Sequence, residues 1–512
     1  RSGGGGMAWR VAAMKKSFRA SMGWLHDWAG LITGWVLFIM VLAGGLSVFR
    51  SEITCWMHPE LRAEAINPAL STQAAVDWLE HNAPDAPAWY LNVASARMPA
   101  TQAIWWQQDE SNMRLLDART GQPLARETMG GDFFYNLHFE LMLPFPWGRL
   151  IAAIAAVALV LILLTGIVTH KRIFADFFTF RPGKGQRSWL DVHNLAGVAA
   201  LPFHLMIALS GAVLLSTMLL PGSISAVYGA QAMDLGDDLT PAMSAPSPAG
   251  HKATLAPLAP MLEEALRRMQ GDGIGQVYLY NPTDAASVVV VTGGNARRIG
   301  LDTHVLRFEG TTGRILADYY ENRPVVVAFG VLYGLHDARF APGVTRWFYF
   351  GSSVLLALVI ASGLRMWVTR RLRQGGGAGV ECVARLNVGM TYGVPVALAG
   401  FMLANRVLPV GMAGRAGAEQ WVVLVVWLLL LGVALALPRI VAARLLLVCL
   451  LVAMLTLVGL SAPWRGGVAQ GVALVCLAAA VACGLALWRG RSGQAEGARP
   501  SAARRLSASK GG

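Results

Sequence analysis

The sequence predicts an all-α polytopic membrane protein of about eight transmembrane helices, with two small α+β modules outside the bilayer and an internal parallel duplication over its first 373 residues. Three observations predict it. Of 512 residues, 55% are hydrophobic and 14% charged, well below the roughly 25% charged of a soluble domain. Eight apolar runs, at about 31–49, 150–169, 194–219, 345–367, 386–409, 421–437, 439–461 and 467–488, approach or exceed the ~20 residues that cross a hydrocarbon core as a helix. The phrase "WLHDWAGL" at 24–31 returns as "WLDVHNLAGV" at 189–198. Each copy places a histidine four residues before a glycine, ahead of an apolar run.

Along the chain, residues 1–16 form a tail whose "RSGGGG" before Met7 resembles a linker remnant. Residues 17–49 carry the first span, with no convincing cleavage site after it, so it is read as retained. Residues 50–148 form the first outside module: a helix near 72–82, short alternating runs "WYLNVA" and "AIWWQQ", then "RLLDARTGQPL". Residues 149–219 hold spans two and three with a cytoplasmic loop between them. Residues 220–344 repeat the module order: a helix near 257–270, then "GQVYLY", "ASVVVVT" and "VLRFEGTTGRIL". In both modules a strand runs into Thr-Gly (Thr120-Gly121, Thr312-Gly313), the glycine supplying a turn's positive φ. Each module closes on Leu-His, in "YNLHFELMLPFPWGR" and "YGLHDARFAPGVTR", and the span that follows ends in small-Gly and a basic cluster, "LTGIVTHKR" or "ASGLRMWVTRR". Residues 345–372 are the fourth span and 373–385 a Gly-rich linker. The four spans of 386–488 lack the repeated pattern, and 489–512 is a basic tail.

The net charge of +13 does not indicate a nucleic-acid partner, because its distribution follows the membrane. Lys15, Lys16 and Arg19 precede span one; Lys171, Arg172, Arg181, Lys184 and Arg187 lie between spans two and three; Arg370, Arg371 and Arg373 follow span four; and Arg439, Arg444, Arg489 and Arg491 flank the last spans. All fall on one side if both termini are cytoplasmic, the positive-inside pattern. Of five cysteines only Cys55 faces the outside, so no intrachain disulfide is expected there. The absence of C-x-x-C and C-x-x-C-H argues against a zinc ribbon and covalent c-type haem.

Six of ten histidines carry the functional expectation. His26, His170 and His193 lie at the inner edge, His138 and His336 at the outer edge, and His204 inside span three, where an ionisable group is costly. His193 and His204, eleven residues apart, differ by about 20° in azimuth and about 16 Å along a helix. Neutral imidazoles projecting from facing helices at two depths are what two stacked haems require, and two stations would divide the roughly 30 Å of hydrocarbon. Each depth offers three candidates for two axial places. Symmetry favours His26 with His193 and His138 with His336, whereas burial favours His204 over one of the outer pair. Single edge histidines also fit headgroup contact, turn capping or an interhelical hydrogen bond, and one haem, zinc or copper are further readings. Zinc is disfavoured because no Cys, Asp or Glu completes a compact set. Asp27 and Asp191 fit either partners for a histidine N–H or helix caps. Met40, Met206 and Met366 are conceivable axial ligands, though Met in an apolar span is usually packing. Trp89, Tyr90, Trp105 and Trp106 suit either substrate stacking or a module core. Arg149 and Arg346, matched at the outer mouths, suit haem propionates or lipid phosphates. No G-x-G-x-x-G follows a strand and no cytoplasmic domain is large enough for flavin or nicotinamide, so the donor is external, a quinol or a cytoplasmic reductase.

The order of H-x-x-x-G span, α+β module with its "D-x-x-T-G" turn (Asp117, Thr120, Gly121), Leu-His, "TG" span and "LDVHNLAG" resembles the PepSY-associated transmembrane proteins, over roughly residues 17–373. The second module departs from it, with Glu309-Gly310-Thr311 before Thr312-Gly313. The stretch "THKRIFADFFTFRPGKGQRSWLDVHNLAGVAALPFHLMIALSG" resembles the iron-regulated branch containing inner-membrane ferric-siderophore reductases. Many family members lack equivalents of His170 and His204, so their presence favours the haem-carrying branch. The resemblance implies two PepSY-like periplasmic modules on a bacterial inner-membrane protein, b-type haem, and an oxidoreductase that reduces a periplasmic ferric siderophore to release Fe(II). It also leaves open a membrane-anchored regulator of a periplasmic peptidase. The unassigned last four spans leave open a transporter.

Overall fold

The computed structural model describes residues 18–497 apart from 62–65, 108–109, 171–176, 178, 230–237, 239, 270, 272, 295–298, 301–303, 339 and 462–465. Part of the loop after span two, including Lys171 and Arg172, thus lies outside the described residues, as do the N-terminal tail and the end of the basic tail.

Helix α1 (Phe18–Ser47) starts well before the apolar run, so the whole "WLHDWAGL" phrase is helical. It is followed by α2 (Arg50–Met57) and α3 (Pro68–Asn82), the latter capped by the Asn67 side chain, which accepts from the backbone N–H of Ala69 and Leu70. Strands β1 (Ala88–Asn92), β2 (Ala100–Gln107) and β3 (Glu110–Asp117) lead to α4 (Asp132–Glu140) and the spanning α5 (Trp147–Thr169). Next come α6 (Gln186–Ala199) and α7 (Leu201–Leu214), which meet at 69°. The sequence reads one straight third span here. The break falls at Pro202, which cannot donate to a carbonyl one turn back and whose ring crowds that turn.

The second outside segment gives α8 (Leu258–Arg268), β4 (Ile274–Tyr280), β5 (Val288–Gly293), β6 (His304–Glu309), β7 (Ile315–Tyr320) and α9 (Pro324–Asp337). The long span α10 (Gly343–Arg373) returns through the bundle. The last four spans are α11 (Ala378–Val407), α12 (Arg415–Ala436), α13 (Arg439–Leu460) and α14 (Gly467–Gly497). Inside α11 a π turn at Gly389–Gly393 precedes Pro395, whose missing N–H accounts for the irregularity. Among the described residues seven helices are long and apolar enough to span a membrane, or eight with the bent α6–α7 pair as one.

The two outside segments do not fold as separate modules. Their strands form one seven-stranded antiparallel sheet in the order β3-β2-β1-β4-β5-β6-β7. The seam is β1 against β4, with Trp89 opposite Leu279 and Leu91 opposite Val277. A three-stranded piece alone would leave the apolar β1 as an open edge, and pairing it with β4 removes two edges at once. Helices α3 and α8 cover one face, and Leu79, Trp89, Leu91, Leu116, Leu262 and Phe308 are fully enclosed there. The two Thr-Gly turns match the expected conformation, with φ +66° at Gly121 and +75° at Gly313.

The four later spans are fastened to the first part by polar contacts at two levels. Within the bundle, Trp35 Nε1 donates to Asn387 Oδ1 at 2.7 Å, and Asn387 Nδ2 donates to the Leu364 carbonyl at 3.2 Å. At the sheet end, Arg415 and Glu419 pair at 2.6 Å with both side chains fully buried. Arg415 also donates to the carbonyls of Glu127 and Asn405, and Glu419 accepts from Thr128 and Asn405. Arg406 donates to the Trp56 carbonyl at 2.5 Å and lies over the Trp56 ring. Replacing Arg415 with leucine strands a buried carboxylate, so we expect a loss of about 3–5 kcal/mol, read as a fall in the thermal midpoint of the full chain in detergent. Replacing Arg415 and Glu419 together with leucine should recover most of it.

Candidate functional site

Four histidines meet in two couples, one near each end of the bundle. His26 on α1 and His193 on α6 have ring centres 6.4 Å apart and planes at 89°. His138 on α4 and His336 on α9 have ring centres 5.9 Å apart and planes at 27°. These are the pairings symmetry favours. Each couple takes one histidine from the segment before residue 186 and one from after it.

The rings are held the same way. His26 Nδ1 is 3.0 Å from the Ile162 carbonyl and 3.3 Å from Thr165 Oγ1, and His193 Nδ1 is 2.9 Å from the Val359 carbonyl and 3.1 Å from Ser362 Oγ. His138 Nδ1 lies 2.7 Å from the Met40 carbonyl. His336 Nδ1 lies 3.0 Å from Ser210 Oγ, whose own hydrogen points to the carbonyls of Met206 and Ile207. Carbonyl oxygens only accept, so Nδ1 carries the hydrogen in each ring and Nε2 keeps its bare lone pair.

A glycine on the neighbouring helix seats each ring. A Cβ at Gly166 would stand 3.2 Å from His26 Cε1, at Gly363 3.4 Å from His193 Cε1, at Gly44 2.7 Å from His138 Nδ1, and at Gly211 2.9 Å from His336 Cε1. The correspondence is regular: Gly44 lies 18 residues after His26, and Gly211 18 residues after His193. The small-Gly pairs that close two spans, Thr165-Gly166 and Ser362-Gly363, are therefore the seats and hydrogen-bond partners of the inner rings.

The His26–His193 couple, inner by the sequence expectation, opens on a cavity of about 770 Å³ lined by His26, His193, His170, Trp28, Trp367 and Arg371, among others, within the roughly 300–1,000 Å³ of small-molecule sites. Gly30 and Gly197, the glycines of the repeated phrase, also line it, and nothing lies within 4 Å of where a Gly30 Cβ would stand. His170 caps the C-terminus of α5.

Other candidates sit elsewhere. His204 is 1% exposed and joins neither couple: its Nε2 donates to the Ser352 carbonyl at 3.0 Å, which fixes the hydrogen on that nitrogen. Its burial therefore does not bring it into the outer pair ahead of His138 or His336. Asp191 takes a bidentate ion pair from Arg181 at 2.6 and 2.9 Å, tying down the loop rather than orienting a ring, and Asp27 faces Arg370 at 3.5 Å. Both lie inside helices and are not caps. Met40 and Met206 contribute carbonyl acceptors, and Met366 lines the inner cavity.

At the sheet end, Arg149 pairs with Glu140 at 2.5 Å, and Arg346 pairs with Glu52 at 2.5 Å. Burial would raise the Glu52 carboxyl, but Arg97 and Arg346 hold it below its ordinary range. Trp105 is on the helix-covered face against Trp78, 6% exposed, and Trp89 is fully buried with Nε1 donating to the Ala83 carbonyl. Stacking by these two is replaced by core packing. Trp106 is on the open face, where its ring centre lies 5.0 Å from that of Tyr90, which in turn lies 5.1 Å from that of Tyr278. On the same face Gln102 donates to Asp132 at the start of α4, six residues before His138.

The family model for the PepSY-associated TM region matches residues 23–370, the interval that contains both couples and the sheet. An uncharacterised protein of Pseudomonas aeruginosa is 28% identical over 293 residues, covering 54% of this chain and 73% of that protein. With more than half of its length matched, the chain belongs to the family of proteins with a PepSY-associated transmembrane region.

Proposed function

We propose that this chain is a di-haem b protein of the bacterial inner membrane that passes electrons outward to a periplasmic ferric siderophore and so releases Fe(II). The observation carrying this reading is the pair of imidazole couples. A metal–imidazole bond of about 2 Å on each side of one ion, plus the roughly 1 Å from ring nitrogen to ring centre, sets two axial imidazoles about 6 Å apart. The couples measure 6.4 and 5.9 Å. His26 with His193, and His138 with His336, would each hold one such ion between them, and neither interplanar angle, 89° or 27°, prevents this. The Nδ1-to-carbonyl bonds fix the tautomer that presents Nε2.

Among the described residues no three or more His, Cys, Asp or Glu side chains gather as a metal group. A metal held by one couple would take its remaining ligands from outside the protein, as the iron of a porphyrin would. The glycine-lined space beside His26 and His193 suits a flat macrocycle. Bound haem would supply the one-electron chemistry; the chain's residues hold its two faces, exclude water and set its depth. Along α1, His26 is separated from Met40 and Gly44, which touch His138, by 14 and 18 residues, about 21–27 Å. Two stations at that spacing fit a carrier across the bilayer.

The regular placement of couples and glycines supports a parallel duplication of the first 373 residues. The basic clusters at the His26–His193 end support a cytoplasmic location for that end, with the sheet periplasmic. The aromatic row of Trp106, Tyr90 and Tyr278, linked through Gln102 to α4, is the proposed resting place of the siderophore. An external quinol or cytoplasmic reductase supplies the electron. A transporter gains little support, because Asn387 and Arg406 bond across to the first part of the chain, as does the Asn405 carbonyl, which accepts from Arg126, while the Asn405 side chain is engaged with Glu419.

The test is the visible spectrum of the purified full chain before and after dithionite, with haem counted by pyridine haemochrome. Two haems per chain and paired α and β bands on reduction are expected, with reoxidation by a ferric siderophore. A protein that stays colourless after haem supplementation would falsify the reading and favour a regulatory role.

A further inference from the structure

Arg371 sits at the basic end of α10, on the wall of the inner cavity. Its guanidinium carbon lies 3.8 Å from the centre of the Trp367 ring and 5.2 Å from that of Trp28. Among the described residues it has no carboxylate partner, whereas its neighbours do have polar partners: Arg370 faces Asp27 and Arg373 donates to Gln186. Trp367 Nε1, on the same wall, is buried with no acceptor. Gly363, Trp367 and Arg371 follow one another at four-residue intervals. They form a stripe that starts under the His193 ring and climbs about 6 and then 12 Å toward the basic end. Two donors without acceptors, half withdrawn from water, are costly unless something anionic completes them.

We infer that Arg371, with Trp367 Nε1 beside it, anchors a carboxylate of the molecule seated in the inner cavity and turns that molecule's acid edge toward the basic end of the bundle. Identifying the molecule as haem b and the group as a propionate rests on the proposed function. A planar guanidinium held over the Trp367 ring with Trp28 beside it is restrained to receive a carboxylate edge-on. A lipid phosphate could offer the same charge, and the experiment separates the two.

Full-length protein purified without haem is titrated with haem b and with its dimethyl ester, whose carboxylates are capped. Wild type, Arg371→Gln and Arg371→Lys are compared, with thermal midpoints as a check on folding. A charge-assisted hydrogen bond is worth about 1.5–3 kcal/mol, so Arg371→Gln is expected to weaken one of two binding steps by about tenfold or more. The ester should bind wild type and Arg371→Gln alike, at that weaker level, and Arg371→Lys should restore part of the affinity for haem b. The inference is overturned if Arg371→Gln takes up haem b as wild type does, which is also the outcome expected if lipid phosphate is the partner. It is overturned equally if the substitution weakens acid and ester to the same extent, which would make the residue structural. Wild type that binds neither compound sinks the di-haem reading itself.

Discussion

On the di-haem proposal, alanine at His26 or His193 should abolish one low-spin haem, and alanine at His138 or His336 the other. Each single substitution is expected to reduce the reduced α-band to about half, because a six-coordinate iron needs both axial imidazoles. One change from each couple should remove the band entirely. The same substitution at His204 should leave both sites, since its Nε2 is committed to the Ser352 carbonyl and it belongs to neither couple. Optical spectra and pyridine haemochrome counts on matched protein amounts decide the matter. If His204→Ala costs a haem while His336→Ala does not, the assignment of the outer couple is wrong.

Valine at Gly44 or Gly211 is expected to be nearly as damaging without touching any histidine. The added Cβ would stand 2.7 Å from His138 Nδ1 or 2.9 Å from His336 Cε1, well inside contact distance. Each ring is pinned by its Nδ1 bond, to the Met40 carbonyl or to Ser210, so it can retreat only by breaking that bond. Overpacking costs about 1–3 kcal/mol, and a released Nδ1 adds the loss of a buried hydrogen bond, about 1 kcal/mol more. The measurable outcome is a lower thermal midpoint together with loss of the outer haem signal and retention of the inner one. Gly351→Ala is the control, since nothing lies within 4 Å of its Cβ position. Should Gly44→Val and Gly351→Ala behave alike, the seat does not constrain the ring.

Much of this was readable along the chain because it depends on local spacing. Apolar length located the spans, Thr-Gly marked the turns at Gly121 and Gly313, and the doubled phrase suggested which histidines belong together. What escaped was non-local or depended on a single residue. The β1–β4 seam joins Trp89 to Leu279 across nearly two hundred residues, and no periodicity within either segment announces it. The third span was read as one continuous run over about 194–219, yet the chain bends by 69° at Pro202 within it, and His204 stands apart from both couples. The glycine that caught the eye, four residues after each inner histidine, lines the cavity instead of seating a ring. The true seats lie on other helices, where Thr165-Gly166, Ser210-Gly211 and Ser362-Gly363 offer a hydroxyl and a bare backbone side by side. Those small-residue pairs were the available signal. Arg346 was assigned to a ligand or lipid because Glu52, its partner, lies 294 positions away.

The seam between β1 and β4 has a mechanical side. It rivets together two halves that each hold only one ring of every couple. Lateral breathing of the halves would stretch both couples at once, and a strand ladder resists such shear through many bonds sharing the load. The seam thus adds a distant restraint on the gap between facing rings to the direct one where α1 packs on α10, with Gly34 against Leu364 and Gly45 against Ser353.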